Sequence, residues 1–254
     1  MADIHNYAFI DGNYLRRAYE DTMRKFFPDA NGSNIELVMI KHYLQASKVF
    51  YYDSVDTDAP DAVWRAAAME SISAIDGFHV RKGTISKKGK QKQVDVQLAV
   101  DALTHAFNKN FWHVSLIAGD LDFKPLVDAL IQLGIHVHVY YESYSGAKPL
   151  YLAADVGIPM SIVDFYNWSS QDYRLSRPRP QDTHNAELPG GANSVVKVGT
   201  WKDRPVQLLH YGQDNSYVLF APPHHSQAQR WLAFSDKDRL LLYFKLVHGD
   251  IVWN

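Results

Sequence analysis

The chain is expected to be an α/β protein, with a parallel sheet flanked by helices and a small β-rich module after it. Three observations lead there. Short apolar runs rich in β-branched and aromatic residues alternate with longer stretches of helical period through the first two thirds of the 254 residues. A stretch at 171–191 then holds three prolines and two adjacent glycines with few large apolar residues, which reads as a linker. Beyond it the runs are short, β-like and separated by turn signals.

Taken in order, residues 7–11, 48–53, 78–82, 112–118 and 135–141 are expected strands, and 14–27, 35–45, 60–75, 94–107 and 125–133 are expected helices. Repeated strand and helix alternation implies parallel strands covered on both faces. Gly134 is placed to stop the fifth helix before the fifth strand. A short helix is expected at 149–155 and an edge strand at 160–165. The domain boundaries follow as 1–168, a linker at 169–193 and a β-rich module at 194–254. In that module Val195 to Val198, Val206 to Leu209, Tyr217 to Phe220 and Ile251 to Trp253 are the strand-like runs. Its aromatics, Trp201, Tyr211 and Trp231 among them, suit base stacking, but a domain of that size needs such rings for its own core, and that reading is preferred.

A hydrophobic content of 46% with 21% charged residues is that of a globular chain, and the net charge of −2 supplies no global field to recruit nucleic acid. With no cysteine there are no disulfides or thiolate metal sites. No apolar run reaches the roughly 18–20 residues that span a bilayer, and the first residues lack a secretory pattern. The expectation is a cytoplasmic protein with no membrane partner, and a dimer is the default assembly.

Four aspartates carry the chemistry. Asp11 closes the first strand in Phe9-Ile10-Asp11-Gly12, and Asp120 and Asp122 follow the fourth in Ala118-Gly119-Asp120-Leu121-Asp122. Strand ends of an open parallel sheet converge on one crevice, so carboxylates distant in sequence become neighbours. Asp95 stands at the start of a helix, where capping also explains an acidic residue. Gly12 and Gly119 are read as permissive turn residues. Crowded carboxylates resist joint ionisation unless a cation joins them, and an all-oxygen site suits Mg2+ or Mn2+. Such a site hydrolyses phosphodiesters by activating water and neutralising phosphoryl charge. Asp101, six residues after Asp95, lies on another helix face and is read as either a structural residue or one that supports the ligands from behind.

For substrate, Arg81 with Lys82, then Lys87, Lys88, Lys90 and Lys92, form a basic segment just before Asp95, placed to meet a phosphate backbone. A solvated lysine loop explains the same run. Arg16, Arg17, Arg24 and Lys25 extend the positive charge after Asp11. His136 and His138 alternate on one side of a strand in a spacing that suits a metal, although packed strand residues are the preferred reading. His224 and His225 are read as loop residues.

The segments Phe9-Ile10-Asp11-Gly12-Asn13-Tyr14-Leu15, Lys92-Gln93-Val94-Asp95-Val96-Gln97-Leu98 and Ala118-Gly119-Asp120-Leu121-Asp122-Phe123, in that order and spacing, resemble the NYN domain of the PIN-like nuclease superfamily, in its LabA-like branch. The resemblance covers about residues 5 to 165. It implies a PIN-like sheet and, in active members, a metal-dependent endoribonuclease. It further implies Asp11 as first-strand ligand, Asp95 as helix ligand, and Asp120 with Asp122 as the pair after the fourth strand. Lys92 matches the lysine that often precedes the helix aspartate, and Asn13 is the residue nearest the family's asparagine, whose place Tyr14 takes. Ala118 and Leu121 stand where many members carry serine. RNA is the implied partner. The alternatives are a catalytically weak or inactive RNA-binding relative and a small-molecule phosphohydrolase; a covalent aspartyl phosphatase is disfavoured because Asn13 stands where its second aspartate belongs.

Overall fold

The computed structural model describes residues 5–30, 32, 34–55, 62–84 and 92–254. The chain divides into two compact units, one of residues 1–23 and 30–170, the other of 24–29 and 171–254.

In the first unit β1 (Asn6–Asp11), β2 (Lys48–Val55), β3 (Phe78–Thr84), β4 (His113–Ile117), β5 (His136–Glu142) and β6 (Val156–Met160) form a six-stranded sheet in the order β3-β2-β1-β4-β5-β6. Every pairing is parallel. Residue alternation gives the central strand β1 two buried faces. Tyr7, Phe9, Phe50, Tyr52, Val114, Leu116, Val137 and Val139 share one core with Val94, Leu98 and Ala102 of α4 (Lys92–Phe107) and Leu126, Val127 and Leu130 of a later helix, Lys124–Gln132. Phe9 and Phe50 stack there with ring centroids 5.0 Å apart. Ala8, Ile10, Val49 and Ile117 have the opposite parity and are also buried.

The remaining helices of this unit are α1 (Gly12–Phe26), α2 (Leu37–Tyr43), α3 (Ala62–Ser73), α5 (Lys124–Gln132), α6 (Lys148–Ala153) and α7 (Ile162–Trp168). Pro125 opens α5 at a position where its missing N–H costs nothing, and Gly134, at φ 78°, ends that turn as expected. The edge strand expected at 160–165 is displaced. It runs Val156–Met160, and Ser161 starts a helix through a capping box with Asp164. Ile162 and Phe165, three residues apart, bury one helical face, which outweighs the β-like composition of the segment.

The second unit is an antiparallel sheet of β7 (Gln181–His184), β8 (Asn193–Trp201), β9 (Arg204–Tyr211), β10 (Ser216–Ala221), β11 (Arg230–Phe234) and β12 (Val252–Trp253), in the order β12-β8-β9-β10-β11-β7. The stretch expected to be linker is structured in part: 171–176 is a helix, α8 (Gln171–Ser176), and β7 pairs with β11, where Arg230 ion-pairs with Asp182. The sequence reading also passed over α9 (Lys237–His248). Asp236 caps it by accepting from the N–H groups of Asp238 and Arg239, and Leu240, Tyr243 and Phe244 are buried at helical spacing. Tyr211 and Trp231 sit in the core with Leu209 and Val218, so these rings serve packing. No helix among the described residues is long and apolar enough to cross a membrane.

Candidate metal centre

The strand order reverses direction between β1 and β4: from β1 the chain moves outward to β2 and β3, then returns through α4 to β4 on the other side. Such a switch point opens a crevice at the carboxyl ends of the strands, because the two connections leave in opposite directions. Asp11 ends β1 and Asp120 follows β4, so the two flank that crevice. Asp11 has the parity of Tyr7 and Phe9, which face α4, and α4 carries Asp95. The helix begins at Lys92, three residues before Asp95, so Asp95 lies within the first turn and not at the cap. Asp120 and Asp122 are exposed on a 3-10 turn (Leu121–Phe123), where the Asp120 carboxylate accepts from the Asp122 N–H at 3.0 Å.

Electrostatics tie the four together. Burial pushes the Asp11 carboxyl up to about 6; the Tyr14 N–H, donating to Oδ1 at 3.0 Å, pulls the other way, and Asp95 and Asp53 add repulsion. Asp95 is raised by burial first and then by Asp120 and Asp122. Among the described residues none of the four has an ion-pair partner, and no three bring carboxylate oxygens within 4.8 Å of one another. Among the described residues, the crevice therefore gathers acidic groups with no ion-pairing cation. Hard oxygen donors in excess of any cationic partner fit a divalent ion of the magnesium type.

The two glycines of the site are demanded by close approach. Neither has a positive φ; a Cβ on Gly12 would lie 2.4 Å from the Tyr51 phenol, and one on Gly119 would lie 2.1 Å from the Tyr14 ring. Tyr14 thus bridges three strand ends. Its N–H caps Asp11, its ring covers Gly119 after β4, and its phenol oxygen accepts the Glu142 N–H at the end of β5 at 2.7 Å. Ala118 is fully buried in the core with α4 and α5, while Leu121 stands 46% exposed at the rim, so neither supplies a polar contact.

Of the basic residues expected to grip substrate, Arg81 is held in an ion pair with Asp101 at 3.1 Å, and Tyr52 donates to the same carboxylate at 2.9 Å. That makes Asp101 the anchor of β2 and β3 to α4. Lys87, Lys88 and Lys90 lie outside the described residues, as does the side chain of Lys92. Asn13 accepts from Arg16 at 2.9 Å. Sequence reasoning missed Asp53, buried at the end of β2, which accepts from Arg16 at 2.6 Å and Arg65 at 3.2 Å. It shares the parity of Tyr51, so it points to the face opposite Asp11 and joins a pocket of about 620 Å³ with Leu15, Trp64 and Met69. Two arginines compensate it, so it offers no open ligand. Its position after an apolar strand was the signal that could have drawn attention to it.

Comparison with known proteins gives a family match and structural likenesses. The NYN domain matches residues 7–161, more than half of the chain. A crystal structure of a protein of unknown function from Vibrio parahaemolyticus is similar at a TM-score of 0.47 and 19% sequence identity, over 63% of this chain and 96% of that one. No curated protein matches the chain.

Proposed function

The chain belongs to the NYN domain family, and from that premise we propose that it is a metal-dependent endoribonuclease acting on RNA phosphodiester bonds at Asp11, Asp95, Asp120 and Asp122. The family has a PIN-like, nuclease-type fold, and nucleases of that type generally use divalent metals. The observation that supports the reading is the placement of these carboxylates around the switch point, where burial pushes Asp11 up to about 6 and burial with Asp120 and Asp122 raises Asp95 from its ordinary value.

The donor set fits Mg2+ or Mn2+, with Asp11 and Asp120 as principal ligands and Asp95 and Asp122 beside them. Such an ion, when bound, neutralises charge on the phosphoryl oxygens and makes water acidic enough to attack. The protein's own groups set the geometry. The Tyr14 N–H fixes one Asp11 oxygen, the Asn13 N–H also donates to that carboxylate, and the Asp122 N–H fixes one oxygen of Asp120. Burial at Asp11 keeps bulk water from screening that end of the site, while the exposed Asp120 and Asp122 leave the rim open to a polymer.

The spread of the carboxylates, together with Ala118 and Leu121, favours a second reading, an RNA-binding relative without cleavage. One experiment separates the two. Purified protein is incubated with single-stranded and structured RNA in Mg2+, Mn2+ or chelator, beside Asp11→Asn and Asp120→Asn. Metal-dependent cleavage lost in both variants is expected. Retention of RNA without cleavage in any metal supports the second reading, and cleavage that survives both substitutions refutes the proposed site.

A further inference from the structure

At the opposite end of the same strands lies a second cluster of metal-ligating side chains that the nuclease reading does not use. His113 is the first residue of β4 and His136 the first of β5, directly paired in register; His138 follows on the same face, opposite Ser115. The ligand nitrogens of all three lie within 4.8 Å of one another, and it is the one such group of three among the described residues. The Nε2 atoms of His136 and His138 are 3.1 Å apart, and the His113 and His138 rings meet edge to face with centroids 4.3 Å apart. We propose that His113, His136 and His138 bind a transition-metal ion of the zinc type, with Asp155 as the carboxylate that orients His136.

Three features beyond proximity point to a ligand. A carboxylate behind a coordinating imidazole is the usual outer partner at such sites, since it fixes the tautomer and ring orientation. Asp155, just before β6, has its Oδ2 3.4 Å from His136 Nδ1, which directs Nε2 of that ring to His138. The Val137 N–H donates to the same oxygen at 2.8 Å, holding the carboxylate in place. The Nε2 of His113 is closed to solvent and has no hydrogen-bond partner among the described residues, an arrangement that a coordinate bond would resolve.

Lastly, the donor types decide the ion. The 3.1 Å between two Nε2 atoms is close to the edge of a tetrahedron with Zn–N of about 2.0 Å. Imidazole donors suit zinc, cobalt, nickel and copper, whereas the carboxylate crevice suits magnesium and manganese. His136 is exposed, so an ion entering from solvent has a path, and a fourth position is left for water or an outside donor.

The test uses the full chain without a histidine tag, in chelator-treated buffer near pH 7.5. Titration calorimetry with Zn2+ and visible absorption with Co2+ are expected to show one ion per chain, in a site of low symmetry with strong cobalt absorption. His136→Ala and His138→Ala are expected to lose the ion, Asp155→Asn to weaken it roughly 10–100-fold, and the Asp11→Asn/Asp120→Asn double variant to keep it. As a control independent of folding in the variants, histidine ring resonances of the wild-type protein are followed during zinc titration, and three rings should shift together at saturation. No uptake of zinc or cobalt by the wild-type protein overturns the proposal. So does uptake unchanged in both folded histidine variants, or lost only in the aspartate double variant.

Discussion

Replacing Asp11 by asparagine should stabilise the metal-free protein at neutral pH. The carboxyl is raised from 3.8 to about 6 in the folded chain, so ionising it there costs more than in the unfolded chain. That rise corresponds to about 3 kcal/mol. Asparagine keeps an acceptor for the Tyr14 N–H but brings an amide that needs a partner, which leaves an expected gain of about 1–3 kcal/mol. The sign follows from the raised value. Below 3.8 the group is protonated in both states and no penalty exists; the penalty grows as pH rises and is complete above about 6. Urea unfolding of wild type and Asp11→Asn in EDTA at pH 4.0, 5.0, 6.0 and 7.5 (~ values bracketing the two pKa limits) reads this directly. The variant should lead at the highest pH and converge with wild type at the lowest. Equal stability at the highest pH, or a lead that does not shrink on acidification, refutes the account of Asp11 as a buried, uncompensated carboxylate.

Manganese should reverse the order, since an ion at 100 times its Kd adds about 2.7 kcal/mol to the protein that binds it, and calorimetry should find its affinity falling as pH drops below about 6, where Asp11 takes up a proton. Tyr14→Phe strands the Glu142 N–H and should cost about 1–2 kcal/mol by denaturant titration. Gly119→Ala drives a methyl into the Tyr14 ring and should cost about 1–3 kcal/mol, a loss largely cancelled in a Tyr14→Ala background when the double-mutant cycle is measured. Asp53→Asn removes the partner of Arg16 and Arg65 and should destabilise by about 2–4 kcal/mol, while manganese affinity, measured by calorimetry, stays nearly unchanged because Asp53 faces the other side of the sheet.

Elements with a long apolar run and clear punctuation were legible from residues alone. The five leading strands fall within two residues of their expected ends, and α5 stops where Gly134 requires. Legibility failed where two signals competed. Met160 to Phe165 has β-like composition, yet the Ser161 and Asp164 capping box and the buried Ile162 and Phe165 make the helix. Residues 181–184 have little apolar content and pair only because β11 offers an edge and Arg230 meets Asp182. Residues 237–248 carried a local helix signal in their Leu, Lys and Arg content and the Asp236 cap, and the burial of Leu240, Tyr243 and Phe244 on one face fits it.

By itself, then, the order of residues determined the α/β class, the four aspartates and the family to which the chain belongs, because strand endings and spacing are local properties of the chain. Only the tertiary structure decided which acidic groups share a crevice. Asp11 and Asp53 both lie at or near the carboxyl ends of apolar strands, but strand parity sends one toward α4 and Asp95 and the other toward Arg16 and Arg65 on the far face. It alone placed His113 beside His136, since that neighbourhood comes from the register of two parallel strands, and register is fixed by long-range packing of their apolar faces.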